Sequence, residues 1–161
     1  EEAYKGGKVR AIGVSNFSSD RFIDLQHFVE IKPAVNQIET HIFQQQKEAK
    51  KYLEKYKCQI ESWGPFAEGR NDFFNTPLLK EIGEKYGKSV AQVALRFLLQ
   101  SDVVVIPKSV HKERMQENFN VFDFKLTEEE MKSIEGLDQE KSLFFDHQDP
   151  ETAERYMSLL D

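Results

Sequence analysis

The chain has 161 residues, 39% hydrophobic, 12% aromatic and 31% charged, with a net charge of −6. Residues 1–161 make one domain at roughly 100–200 residues per domain. The composition excludes a disordered, a collagen-like and a membrane-spanning chain, because no apolar run approaches the ~20 residues that cross a bilayer. The acidic balance excludes a general nucleic-acid binder, though it leaves room for a local basic pocket holding one phosphorylated ligand.

Residues 1–5 carry neither an initiator methionine nor a signal-peptide pattern, so a processed chain or a piece of a longer one is expected. Short β-like runs then stand at residues 9–14, 34–38, 58–62 and 103–106, each ending in polar or turn residues, as buried parallel strands do. Between the first two, Phe22, Leu25 and Val29 give a weak helical stripe, with Ser18 or Ser19 as N-cap. Ala49, Tyr52, Leu53 and Tyr56 give a cleaner one. Cys58, the only cysteine, opens the third run as a small core residue and permits no intrachain disulfide, which suits a reducing, cytoplasmic setting.

Two helices precede the last strand. Thr76 and Pro77 read as N-cap and N1 of a helix over 78–86, and Gly87 stops it. Ser89 with Gln92 is a capping box before the core stripe Val90, Val93, Ala94, Phe97 and Leu98. The stretch from Gly83 to Ser89 imitates a phosphate-binding loop but is one residue short and follows a helix, so it reads as a helix stop and start. After the last strand, residues 111–120 read as a polar helix. Thr127 with Glu130 caps another that runs to about residue 135, and its acidic first turn suits the helix dipole. The tail is irregular, with a short helix over 150–160.

Strands alternating with helices imply parallel βαβ units, whose ligands sit at the carboxyl ends of the strands. Those ends carry Ser15 and Asn16; Asn36, Gln37, Glu39, Thr40 and His41; Trp63, Gly64, Pro65 and Phe66; and Pro107, Lys108 and Ser109. Amides and hydroxyls suit a carboxamide, and an indole suits a flat ring. Lys108 and Ser109 before a helix N-terminus, with Arg114 in or near its first turn, suit a phosphate or form a solvated basic helix end. His27, His41, His111 and His147 show no metal-ligand spacing, so no metal site is expected.

The stretch Ala11-Ile12-Gly13-Val14-Ser15-Asn16-Phe17 resembles a signature of the aldo-keto reductases. So do Val35-Asn36-Gln37-Ile38-Glu39 and Ile106-Pro107-Lys108-Ser109-Val110 running on to Arg114 and Glu117-Asn118-Phe119. Glu61-Ser62-Trp63-Gly64-Pro65-Phe66 and Ser142-Leu143-Phe144-Phe145 resemble the bacterial branch that includes 2,5-diketogluconate reductases. The resemblance implies an α/β fold, four βα units like the second half of a TIM-type (β/α)8 barrel. It implies NADP(H)-dependent reduction of small carbonyl substrates to alcohols. By the same resemblance Ser15, Asn16 and Gln37 hold the nicotinamide carboxamide, and Trp63 stacks on the ring where many relatives use tyrosine. Gly64 and Phe66 line the pyrophosphate loop by backbone contact. Lys108, Ser109, Val110 and Arg114 clasp the 2′-phosphate side, and Glu117 and Asn118 bind adenine or its ribose. The absence of G-x-G-x-x-G agrees with that mode.

No position matches the family's catalytic Asp, Tyr, Lys and His, so no catalytic residue is assigned and the chain alone is expected not to turn over. The alternative is a noncatalytic nucleotide-binding or structural half-barrel fragment that self-associates. A half barrel leaves two strand edges unpaired, which invites pairing with another chain. Closure by a second copy, closure by a missing first half, or rearrangement to an open sheet with helices on both faces would each resolve this. His41, Phe144 and Phe145 are candidates for the edge of a substrate pocket, the phenylalanines equally for packing.

Overall fold

The computed structural model describes residues 1–146 and 149–159; His147 and residue 160, the expected end of the last helix, lie outside the described residues. The order is α1 (Glu2–Lys5), β1 (Gly13–Ser15), α2 (Ser19–Phe28), β2 (Val35–Glu39), α3 (Lys47–Lys55), β3 (Gln59–Trp63), α4 (Pro77–Tyr86), α5 (Val90–Gln100), β4 (Val104–Val105), α6 (Lys112–Phe119), α7 (Glu128–Glu135) and α8 (Pro150–Met157). Single-turn 3-10 helices at Ala67–Gly69 and Phe73–Asn75 lie in the β3–α4 connection.

The four strands are parallel and stand in the order β1-β2-β3-β4. They are not rearranged. A doubly wound sheet reverses strand order to place helices on both faces, whereas sequential right-handed crossovers all fall on one face. Burial follows that rule. Asn36, Ile38, Ile60 and Ser62 are buried, while their alternates Val35, Gln37, Gln59 and Glu61 are half-buried. One face of the open sheet therefore meets the helices, and the other corresponds to a barrel interior.

The runs expected at 9–14 and 103–106 shorten to Gly13–Ser15 and Val104–Val105. These are the two edges of the sheet, each with one hydrogen-bonded neighbour. The inner strands β2 and β3 pair over five residues, from Val35↔Gln59 to Glu39↔Trp63. At Gly13 an added Cβ would lie 2.9 Å from the Val35 carbonyl oxygen, so the close approach of β1 to β2 needs glycine there.

Helix α5 is the hub of the core. Val90, Val93, Ala94, Leu95, Phe97 and Leu98 are all buried, and each such side chain contributes about 1.5–3 kcal/mol, alanine less. All but Leu95 join Phe22, Ile38, Leu53, Ile60, Phe73, Leu79, Ile82 and Ile134 in one cluster, which also takes in Cys58. Both capping boxes form: Ser89 Oγ accepts from the Gln92 amide, and Thr127 Oγ1 accepts from the Glu130 amide at 3.2 Å. Thr76 holds the N-cap position of α4, but its hydroxyl donates backwards to the Phe73 carbonyl at 2.7 Å and leaves the helix amides alone. Gly87 ends α4 with φ +62°, as expected of a left-handed stop.

Candidate functional site

The register aligns Ser15, Gln37 and Glu61 across three strands on the uncovered face of the sheet. Ser15 Oγ donates to the Gln37 carbonyl at 3.1 Å, and the Asn16 amide donates to the same oxygen at 2.9 Å. Gln37 Nε2 donates to Glu61 Oε1 at 2.5 Å. One step further, Trp63 Nε1 donates to Asn16 Oδ1 at 2.7 Å. Among the described residues, this leaves Asn16 Nδ2 as a donor and Gln37 Oε1 as an acceptor without protein partners. A free amide donor and a free amide acceptor are the two functions that a carboxamide pairs with. Asn36 belongs to the other face: it is 1% exposed and its Nδ2 donates to the Phe17 carbonyl at 2.9 Å, shaping the turn that presents Asn16.

The β3–α4 connection carries an unusual backbone. Gly64, Ala67, Glu68, Gly69, Asn71 and Asp72 all have φ between 49° and 78°. Non-glycine residues rarely hold such angles unless their surroundings impose them. Phe66 and Phe73 pack edge-on at 6.0 Å inside this loop. Gly64 lies beside the carboxyl-terminal segment, where an added Cβ would meet the Phe144 ring at 3.7 Å.

That segment is fastened in turn. Glu39 at the end of β2 is 5% exposed and accepts from His41 Nε2 at 2.9 Å, from Ser142 Oγ at 2.5 Å and from the Leu143 amide at 3.0 Å. Burial pushes the Glu39 carboxyl up, and the bonds from His41, Ser142 and Leu143 outweigh it, holding the group below its ordinary value. His41 is fully buried, so it does not edge the pocket; its Nδ1 accepts from the Phe43 amide at 3.2 Å. Phe144 stands edge-on to Trp63 with centroids 5.0 Å apart. Asn16, Glu39, Ser142 and Phe144 share a cavity of about 740 Å³.

A second cavity, of about 540 Å³, gathers Phe66, Lys108, Ser109, Val110, Arg114, Glu117 and Asn118. It opens on the N-terminus of α6, where His111 is the N-cap and makes no side-chain capping bond. Ser109 Oγ accepts from the His111 amide at 3.1 Å. Among the described residues, neither Lys108 nor Arg114 pairs with a carboxylate. Unpaired cations beside the amides of a helix N-terminus have the chemistry that an anion needs. The Glu117 carboxylate instead accepts from the Ser89 hydroxyl and so joins α6 to the start of α5. Val110 is 73% exposed.

The expected residues thus fall into two groups, Ser15, Asn16, Gln37, Trp63 and Gly64 in one and those of the anion cavity in the other. Residues 1–139 match the model of the aldo/keto reductase family. The chain belongs to the aldo/keto reductase family.

A glyoxal reductase of Bacillus subtilis (strain 168) is 45% identical over 141 residues, covering 88% of this chain and 50% of that protein. The chain spans about half the length of the curated relatives it matches. A mutant of Gox0644 solved in complex with NADPH superposes with a TM-score of 0.84 at 37% identity, over 90% of this chain and 53% of that one. A putative 2,5-diketo-D-gluconic acid reductase B superposes at 0.85 with 36% identity, over 91% and 52%. The residue missed in the sequence is Arg70, whose Nη1 donates to the Leu143 carbonyl at 2.8 Å. No local pattern marks a loop arginine that acts on a segment 73 residues away.

Proposed function

We propose that this chain carries the cofactor side of an NADP(H)-dependent carbonyl reductase that converts small aldehydes or ketones to alcohols. The observation that carries the reading is the pairing of two sites at the strand ends: a carboxamide-complementary cluster beside an indole, and an anion cavity with unpaired Lys108 and Arg114. Lys108, Ser109 and Arg114 would hold the 2′-phosphate, and Asn118 the adenosine side. Ser15, Asn16 and Gln37 would orient the nicotinamide beside Trp63. When bound, the reduced cofactor supplies hydride to the carbonyl carbon. The NADPH complex of Gox0644 supports this assignment.

The proton that completes the alcohol comes, on this reading, from the family's catalytic tetrad, for which the 161 residues offer no matching motif. We place it outside this half. The free edges at β1 and β4 favour a partner that supplies further strands, either the remainder of a longer chain or a second copy. No helix among the described residues is long and apolar enough to cross a membrane. A reducing, cytoplasmic location accords with the single buried Cys58.

The test is a titration of the chain with NADPH, read by nicotinamide fluorescence, with NADH in parallel. Saturable binding that favours NADPH is expected, and no oxidation across an aldehyde panel. Absence of binding below millimolar cofactor overturns the site. Robust turnover by the chain alone overturns the placement of the tetrad.

A further inference from the structure

The segment 142–144 is held from two sides by residues outside the two ligand groups. From the sheet, the Glu39 carboxylate takes Ser142 Oγ and the Leu143 amide. From the β3–α4 loop, Arg70 Nη1 donates to the Leu143 carbonyl at 2.8 Å, and its guanidinium lies 4.3 Å from the Phe144 ring centroid. Ser142 Oγ, while donating to Glu39, accepts from the Phe144 amide at 3.0 Å and the Phe145 amide at 3.1 Å. The segment therefore has little freedom, and Phe144 is delivered against Trp63.

A carboxylate is the side chain this position requires. His41 Nδ1 accepts from the Phe43 amide, so His41 Nε2 carries the proton and donates. Glu39 thus faces three donors at once, and an ionised carboxylate has acceptor sites for all of them. A glutamine would turn its NH2 against one.

We infer that Glu39 and Arg70 are positioning residues that fix the 142–144 segment as a wall of the ligand site, with Phe144 setting the width open to a flat ring beside Trp63. The wall is a property of this chain. Its effect on a nicotinamide rests on the cofactor reading above.

Trp63 is the only tryptophan, so its fluorescence reports the wall directly. Acrylamide quenching is measured without cofactor on the wild type, Phe144→Ala, Arg70→Ala, Ser142→Ala and Glu39→Gln, with far-UV circular dichroism to confirm the fold. Phe144→Ala sets the limit for a lost wall. Arg70→Ala and Ser142→Ala, both outside the core, are expected to approach that limit, and Arg70→Lys to recover only part of the protection. Wild-type quenching in folded Arg70→Ala and Ser142→Ala overturns the proposal, as does an unchanged Phe144→Ala.

A second arm compares NADPH with adenosine 2′,5′-bisphosphate, which carries the adenine side and no nicotinamide. Arg70→Ala is expected to weaken NADPH about fivefold, the effect of one lost hydrogen bond, and to leave the bisphosphate unchanged. Equal weakening of both overturns the positioning role. If the wild type binds no NADPH, the function proposed above fails while the quenching series still decides the wall.

Discussion

The Trp63 indole N–H donates to Asn16 Oδ1 at 2.7 Å across 47 residues of sequence, tying the end of β3 to the turn after β1. Asn16 sits at φ +57°, which asparagine tolerates better than most residues. Two substitutions separate the bond from the backbone. Asn16→Gly keeps the conformation and loses a bond worth about 1 kcal/mol net. Asn16→Ala loses the bond and adds about 1–2 kcal/mol of left-handed strain. Urea unfolding is expected to rank wild type above Asn16→Gly above Asn16→Ala; equal stability of the two variants would mean that the turn carries no strain.

Lys108 and Arg114 are expected to act on the phosphate that distinguishes NADPH from NADH. Arg114→Ala should lose about 1.5–3 kcal/mol of NADPH binding, roughly 10- to 150-fold, with NADH affinity nearly unchanged. Added salt should weaken the wild type towards the variant, because the site is exposed. Equal losses for both cofactors would place the arginine elsewhere in the site.

Glu39 predicts an acid limb of stability. Burial raises its carboxyl, the three hydrogen bonds lower it further, and the folded value lies below the unfolded one. Such a group stabilises fully above the unfolded glutamate value near ~4.3, and its contribution is lost as pH falls through the folded value. Glu130 acts in the same direction: burial raises its carboxyl, and bonds from the Thr127 amide and the Tyr86 hydroxyl bring it below its ordinary value. Denaturation midpoints measured from neutral to strongly acid pH should fall less steeply in Glu39→Gln than in the wild type, and parallel curves would remove Glu39 from the acid limb.

Two glycines of one helix should fail for different reasons. A Cβ on Gly83 would fall well inside contact distance of the Lys88 carbonyl oxygen, so Gly83→Ala is expected to cost about 1–3 kcal/mol through overpacking. Gly87 has nothing within 4 Å of an added Cβ but holds φ +62°, so Gly87→Ala costs about 1–2 kcal/mol through conformation alone. Gly87→Asn should recover part of that loss, and Gly83→Asn none of its own.

The Cys58 thiol is pushed up to about 11 by burial and is 4% exposed. It should resist thiol reagents at mildly alkaline pH in the folded chain and react promptly in denaturant. Labelling rates then report global opening of the core beneath β3.

Most of the elements were legible because their signals are local. A capping box spans three residues, as Ser89–Gln92 and Thr127–Glu130 do, and the stripe on α5 repeats within one helix. The strand-end residues Ser15, Gln37, Trp63 and Lys108 were also legible, since parallel βαβ order already says which end of the sheet meets a ligand. The strand lengths at the edges were not: residues 9–12 have the composition of a strand, but β1 has a neighbour on one side alone. Nor was the turning of Glu117 towards Ser89. The clasp of Glu39 on Ser142 joins residues 103 apart. Contacts of that range depend on strand register and on how loops fall across the sheet, and both arise only when the whole chain has packed.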